Sequence, residues 1–211
     1  MNLVPRSRVP RSLATALLVS AVLMAPAVFA QEEPDGGPTP EEQQEMLARA
    51  QAIAQPGPEH RLLEKLAGHW RMAVKIWGPP GQPPKSLTGE SDQTMILGGR
   101  FLEVRAKSEE SQGQHIESLV IYGYDRRLDL YTMTGFDNLG TYSIEAEGVV
   151  DEETGTVDLE GTTLDPMSGD ASSYRFELHP LSEDVYTVSL YFETPDGDDV
   201  LLMETTYTRV P

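Results

Sequence analysis

Side-chain chemistry needs particular residue types at workable spacings, so the search begins with the histidines. The chain has 211 residues, four of them His and none of them Cys. His60, His69, His115 and His179 form no metal-type pair: none stands at i and i+2 on a strand, none belongs to His-Glu-x-x-His, and no thiolate can complete a zinc set. His60 and His69 flank one short helical segment, where capping or a surface position is their expected role. No Gly-x-Ser-x-Gly elbow occurs, and nothing in the sequence holds a His beside both a Ser and a carboxylate. Glu103 and Arg105 share parity and form either an internal pair or part of a solvated face. Leu102, Val104 and Ala106 make the better inner set, which favours the solvated face. Pro195-Asp196-Gly197-Asp198-Asp199 resembles a calcium loop only in composition and reads as a hairpin turn. No motif implies a catalytic residue, a metal or a cofactor.

Charge narrows the partners. There are 16 Lys+Arg against 34 Asp+Glu, a formal charge of −18. Arg6, Arg8 and Arg11 are the cations of residues 1–30, which hold no acid, so the chain beyond them carries 13 cations against 34 acids, about −21. No basic face is available to displace counterions from a phosphate backbone, which speaks against nucleic acid and against docking on an anionic membrane. With 39% hydrophobic residues the chain is nevertheless no acidic disordered tail.

The N-terminus reads as an address. The three arginines precede an apolar run from Leu13 to Val28, and Val28-Phe29-Ala30 places small residues at the −3 and −1 positions of a cleavage site. Residues 1–30 are therefore expected to be a secretory signal peptide, giving an exported, periplasmic or extracellular protein without stable membrane insertion after cleavage. Residues 31–40 (QEEPDGGPTP) read as a disordered tether. Two helices are expected within 41–66. The first carries Met46, Leu47, Ala50, Ile53 and Ala54 at helical spacing, and the second carries Leu62, Leu63 and Leu66 up to Gly68.

After Gly68 the hydrophobic period changes to 2. Ten runs separate at roughly 69–77, 88–97, 100–108, 115–124, 128–136, 140–150, 155–164, 171–179, 184–193 and 199–209, divided by turn residues such as Gly98-Gly99, Asp137-Asn138 and Asp165 to Gly169. Short connections imply antiparallel neighbours, and closure removes both edges. Residues 67–211 are thus expected to form an all-β, up-and-down barrel domain, with the 59–66 helix as a plug. The competing architecture is a two-sheet sandwich.

Parity then picks the lining. Trp70, Met72, Val74 and Ile76 share one face, as do Tyr142, Ile144 and Ala146, and Tyr174, Phe176 and Leu178. On the last strand Leu201, Met203, Thr205, Tyr207 and Arg209 form the corresponding set. Trp70, Met72, Val74, Tyr142, Tyr174, Phe176, Met203 and Tyr207 are the candidate walls of a cavity for an apolar or amphipathic small molecule.

Leu66-Ala67-Gly68-His69-Trp70, at a helix-to-strand junction, resembles the Gly-x-Trp signature of lipocalins and their calycin relatives. That resemblance implies that Gly68, Trp70 and Arg209 form the barrel floor, with the guanidinium packed over the indole. A closer resemblance covers residues 56–209. Pro-Gly-Pro-Glu-His (56–60), Ile-Leu-Gly-Gly-Arg-Phe-Leu (96–102), Gly-Tyr-Asp (123–125), Asp-Asn-Leu-Gly-Thr (137–141), Asp-Pro-x-Ser-Gly (165–169) and the final Tyr-Thr-Arg are similar to the bacterial family called domain of unknown function 1579. It implies a calycin-like barrel and assigns no activity. Phe136 departs from the polar or small residue expected before Asp137. The architecture also resembles haem-binding barrels of the nitrobindin type, which use a His near the C-terminus; the run 201–209 has none.

The sequence therefore favours an exported small-molecule-binding barrel. A cell-envelope interaction or scaffold module is the alternative reading, and a haem barrel or an enzyme stands behind both.

Overall fold

The period-2 pattern beyond Gly68 folds as ten antiparallel strands. The computed structural model describes residues 37–79, 81–110, 113, 115–164, 169–194 and 197–211. The expected signal segment 1–30, tether positions 31–36 and turn residues 165–168 and 195–196 lie outside the described residues. The strands are β1 (Gly68–Ile76), β2 (Lys85–Ile96), β3 (Phe101–Ser108), β4 (Glu117–Asp125), β5 (Leu130–Asp137), β6 (Ile144–Val150), β7 (Val157–Leu164), β8 (Ala171–Ser182), β9 (Val185–Glu193) and β10 (Asp199–Arg209). Each pairs with the next, and β1 pairs with β10, closing the barrel. No strand edge is left to template aggregation, and the sandwich alternative is set aside.

Two local features depart from simple alternation. A bulge between Leu201 and Met203 shifts the β10 register, so that Leu201 stands opposite the outer-face Tyr191 while Met203 stands opposite Leu190. Leu201 thus leaves the inner set to which unbroken parity assigns it, because one extra residue reverses the alternation. β6 starts at Ile144 rather than near residue 140. The Asp137 carboxylate accepts the Leu139 and Gly140 N–H groups at 2.8 and 3.1 Å, and the ladder with β5 ends at Gly135 opposite Ile144. Tyr142 consequently lies before the strand and is 61% exposed.

Two helices precede the barrel: α1 (Pro40–Ile53) and α2 (His60–Leu66). α1 buries none of its residues, whereas α2 buries Leu63 and Leu66 against the barrel core. Two arginines from hairpins at the α2 end of the barrel secure the chain between the helices. Arg126 donates to the Ala52 and Gln55 carbonyls, and Arg100 donates to the Ala54 carbonyl and the Gln55 side chain. Among the described residues, no helix is long and apolar enough to cross a membrane.

The floor is assembled around Trp70, 1% exposed, whose indole N–H donates to the Leu66 carbonyl at 2.9 Å. The Arg209 guanidinium lies 4.1 Å from the indole centroid and donates to the Ala67 and Lys65 carbonyls at 2.8 and 2.7 Å. Those carbonyls belong to the end of α2, where backbone acceptors lack intrahelical partners. Gly68 makes the approach possible: its φ is +143°, and a Cβ there would stand 2.5 Å from Arg209 Nη1. Arg209→Met keeps the aliphatic stem but strands both carbonyls, and should cost about 2–4 kcal/mol in urea unfolding.

His60 fixes the other end of α2. It is 4% exposed, and its Nδ1 accepts the Gly57 N–H at 3.1 Å, a bond that only the unprotonated nitrogen can make. Burial lowers its pKa below the ordinary 6.5, with Glu59 pulling weakly the other way. The unfolded chain therefore takes up this proton at higher pH than the folded one. The stabilisation is present above about pH 6.5 and is lost as pH falls through the lower folded value. In His60→Asn, whose amide oxygen can accept the same N–H, the decline of unfolding free energy between about pH 7 and about pH 5 should be shallower than in the parent.

Candidate functional site

Strand register defines what faces the interior, and burial shows where that interior is filled. Leu102, Val104, Met133, Leu159, Leu178 and Val188 are at most 7% exposed and form the packed part of the barrel with α2. Other inward residues remain only half-buried although their ladder neighbours are sealed. Val120 stands between Val104 and Gly135, Tyr122 between Leu102 and Met133, and Tyr207 between Met72 and Tyr186. A side chain turned into a closed barrel between sealed neighbours keeps accessible surface only where the interior holds space for at least a water-sized body. Val74, Leu190, Phe192 and Met203, nearer the end opposite α2, are half-buried in the same way.

At that mouth an apolar pocket of about 210 Å³ is lined by Tyr142, Ile144, Tyr174, Phe176, Leu190 and Phe192, among others. Tyr174 anchors its wall. The Tyr174 hydroxyl donates to the Glu145 carbonyl at 2.8 Å and accepts the Glu145 N–H at 3.0 Å, while its ring meets Phe176 and Phe192 at 5.7 and 5.9 Å. The ring crosses β7 at Gly161, where a Cβ would lie 2.6 Å from the hydroxyl.

At the floor of the interior the lining turns polar. Tyr186 packs edge-on against Trp70 at 4.9 Å and stacks on Tyr207 at 4.5 Å with the rings nearly parallel. Gln93 Nε2 donates to the Tyr186 hydroxyl at 2.5 Å and reaches Ser91 Oγ at 3.4 Å. Burial raises the pKa of Tyr207 to about 12. It likewise raises those of Tyr122 and Tyr186 well above the ordinary phenol value, reinforced by the nearby Tyr207. All three phenols are neutral near neutral pH.

The residues expected from parity distribute over this space by height. Trp70 and Met72 are buried at the floor, Val74, Met203 and Tyr207 line the interior, Tyr174 and Phe176 wall the mouth, and Tyr142 stands on its rim. Gly68 and Arg209 lie beneath Trp70, as the lipocalin resemblance implies. Sequence reasoning missed Gln93, Tyr122, Tyr186, Leu190 and Phe192. In β2 both faces are polar, with Ser91 and Gln93 on one and Glu90 and Asp92 on the other, so no alternation distinguishes them. The run from Leu119 to Tyr122 is apolar throughout, with the same result. The available signal was pairing with β1, which sets Ser91 opposite Trp70.

Other candidate chemistry lies outside the barrel. Arg105 and Glu103 form an ion pair on the outer face at 2.7 Å. His69 reaches Asp92, His115 reaches Glu117 and His179 reaches Thr156, none of them facing inward. No group of His, Asp and Glu among the described residues is arranged to hold a metal. A concavity of about 1190 Å³ is an open polar groove across the outer faces of β5 to β8, lined by Glu145, Glu147, Glu160 and Arg175 among others. A hollow of about 700 Å³ beside α2 has apolar walls, but its Leu66, Trp70, Leu178 and Tyr186 are already at most 8% exposed. A ligand there finds little apolar surface left to cover.

Comparison with known proteins fits this geometry. The profile of the family described as "Protein of unknown function (DUF1579)" matches residues 55–209. The crystal structure of Rv2717c from M. tuberculosis superposes with a TM-score of 0.54 at 14% identity, covering 74% of this chain and all of that one. At that identity the likeness shows the fold alone. A redesigned beta barrel covers 72% of this chain and 96% of its own at 16% identity, with a TM-score of 0.36, which carries no argument. No curated protein matches.

The phenol environments give a direct test. In an alkaline absorbance titration Tyr207 should ionise no earlier than about pH 12, and Tyr122 and Tyr186 should also ionise well above the ordinary phenol range. Tyr207→Phe should leave the rise below about pH 11 unchanged, whereas a loss of amplitude there would show that the interior is wet.

Proposed function

We propose that this chain, which belongs to the DUF1579 family of proteins of unknown function, is an exported barrel that binds one apolar or amphipathic small molecule in its interior. The observation that carries the reading is the residual surface on inward-facing Val120, Tyr122 and Tyr207, set among sealed ladder neighbours, and its continuation to Leu190 and Phe192 below the mouth. Apolar surface left uncovered in a folded interior is what a ligand covers, at about 25 cal/mol per Å². Export rests on the arginines, apolar run and small residues of the first 30 positions. The excess of acids over cations, −18 for the full chain, disfavours nucleic acid as a partner.

The envelope-scaffold reading keeps one supporting observation. α1 leaves Met46 and Leu47 56% and 59% exposed, an apolar stripe free for a partner protein.

Diphenylhexatriene, a hydrocarbon whose emission rises in apolar surroundings, should bind saturably at one site per chain. Leu190→Trp, which fills the interior from β9, should weaken that binding about tenfold or more. Absence of saturable binding by the parent would remove the interior reading and leave the scaffold one.

A further inference from the structure

The polar floor of the interior carries an unanswered hydrogen-bonding group. Gln93 is 3% exposed, and its Oε1 has no hydrogen-bond partner. Its other end is engaged by the Tyr186 hydroxyl and Ser91. Turning the amide over only exchanges the deficit. The hydroxyls of Tyr186 and Ser91 would then donate to the carbonyl, and the NH₂ would take the place of the unanswered oxygen. A buried amide with one end unanswered is costly, whereas an apolar residue of similar shape at the same place would carry no such penalty.

Around this amide stand Tyr186, Tyr207 and Tyr122. The first two are stacked, and Tyr122 faces the same interior from β4, between Leu102 and Met133. Neither Tyr122 nor Tyr207 directs its hydroxyl to a partner among the described residues, although both face the interior and both keep accessible surface. The cluster thus offers acceptors and donors together. It offers no charge. Among the described residues, no Lys, Arg, Asp or Glu faces the interior between Lys85 and Asp137 at the mouth and Arg209 at the floor, and Arg209 is spent beneath Trp70.

We infer that Gln93, with Tyr122, Tyr186 and Tyr207, forms a subsite for the uncharged hydroxyl head of an elongated amphipathic ligand whose hydrocarbon tail points to the mouth; this rests on the interior-binding reading above. A hydroxyl both donates and accepts, so it satisfies Gln93 in either orientation and accepts a hydrogen bond from a phenol. A carboxylate accepts only. It would be desolvated with no cation facing it and with neutral phenols that stay neutral, a combination that disfavours burial. From Tyr207 to Met203 the strand climbs four residues, about 14 Å at about 3.4 Å per residue, which leaves room for an alkyl chain of about ten carbons.

Displacement of diphenylhexatriene at about pH 7.5, where a carboxylic acid is ionised, compares 1-decanol with decanoate, two ligands of equal length. The full chain should bind 1-decanol at least about tenfold more tightly, and Gln93→Leu and Tyr207→Phe should each lower the ratio of 1-decanol to decanoate affinity by about that factor. Equal displacement by the two ligands, or an alcohol preference that survives both substitutions, overturns the subsite while leaving the cavity in place. If diphenylhexatriene does not bind the parent, the cavity itself fails and the subsite with it. Should Gln93→Leu lose the hydrocarbon as well, its fold is damaged, and Tyr207→Phe, which keeps the stacked ring, decides.

Discussion

The structure depends on how one end of the barrel is shut. Ten strands closing on themselves satisfy every ladder but leave a wide tube, and a tube must be stoppered before it can hold a hydrophobic core. Trp70 does this from the first strand, Arg209 from the last, and the end of α2 supplies the carbonyls that both bind. Because β1 and β10 are neighbours with Trp70 opposite Arg209, the same contact also registers the seam at which the sheet closes. Cation–π attraction, two charge-assisted hydrogen bonds and the glycine that lets the guanidinium approach form one unit, spread over 142 residues of sequence.

Above that unit burial is uneven. The aliphatic residues packed with α2 are sealed, Val120, Tyr122 and Tyr207 keep surface in the interior, and at the mouth Tyr174 and Phe176 are buried while Tyr142 is exposed. A small domain without disulfides depends on its core for stability, and here the core is concentrated between α2 and the floor. The rest of the interior is thereby released from a purely structural duty, which is why buried polar groups such as Ser91, Gln93 and Thr205 are tolerated along the β10–β1–β2 seam. The acidic charge sits on the outer face, as in Glu103, Glu145, Glu147 and Glu160, where water and neighbouring cations such as Arg105 and Arg175 accommodate it.

The family motifs acquire physical meaning in the same frame. Arg100 of Ile-Leu-Gly-Gly-Arg and Arg126, following Gly-Tyr-Asp, hold the last carbonyls of α1 and the segment leading to α2. Leu97, Gly98 and Gly99 all take positive φ in the tight turn before Arg100. His60 of Pro-Gly-Pro-Glu-His starts α2 by accepting from Gly57. These residues keep the plug seated, a task that requires them whatever the interior holds. Interior residues such as Gln93 and Tyr186 belong to none of these motifs.

The number of strands, their order and their approximate ends were legible in the sequence, because a half-buried strand must alternate and a tight turn must use Gly, Asn, Asp or Pro. So were Trp70 and the inner faces of β1 and β8, where apolar and charged residues alternate cleanly. Leu201 was not, because a bulge has no sequence mark strong enough to cancel parity. Nor were Tyr122 and Gln93, because a run that is apolar on both faces, or polar on both, carries no phase. For such strands the inside is chosen by the neighbouring strand and not by the strand itself, and only closure between β1 and β10 fixes every neighbour at once. Local periodicity thus determined that this chain is an antiparallel meander of ten strands, and the long-range contact at its seam decided that it closes and which side chains face one another within it.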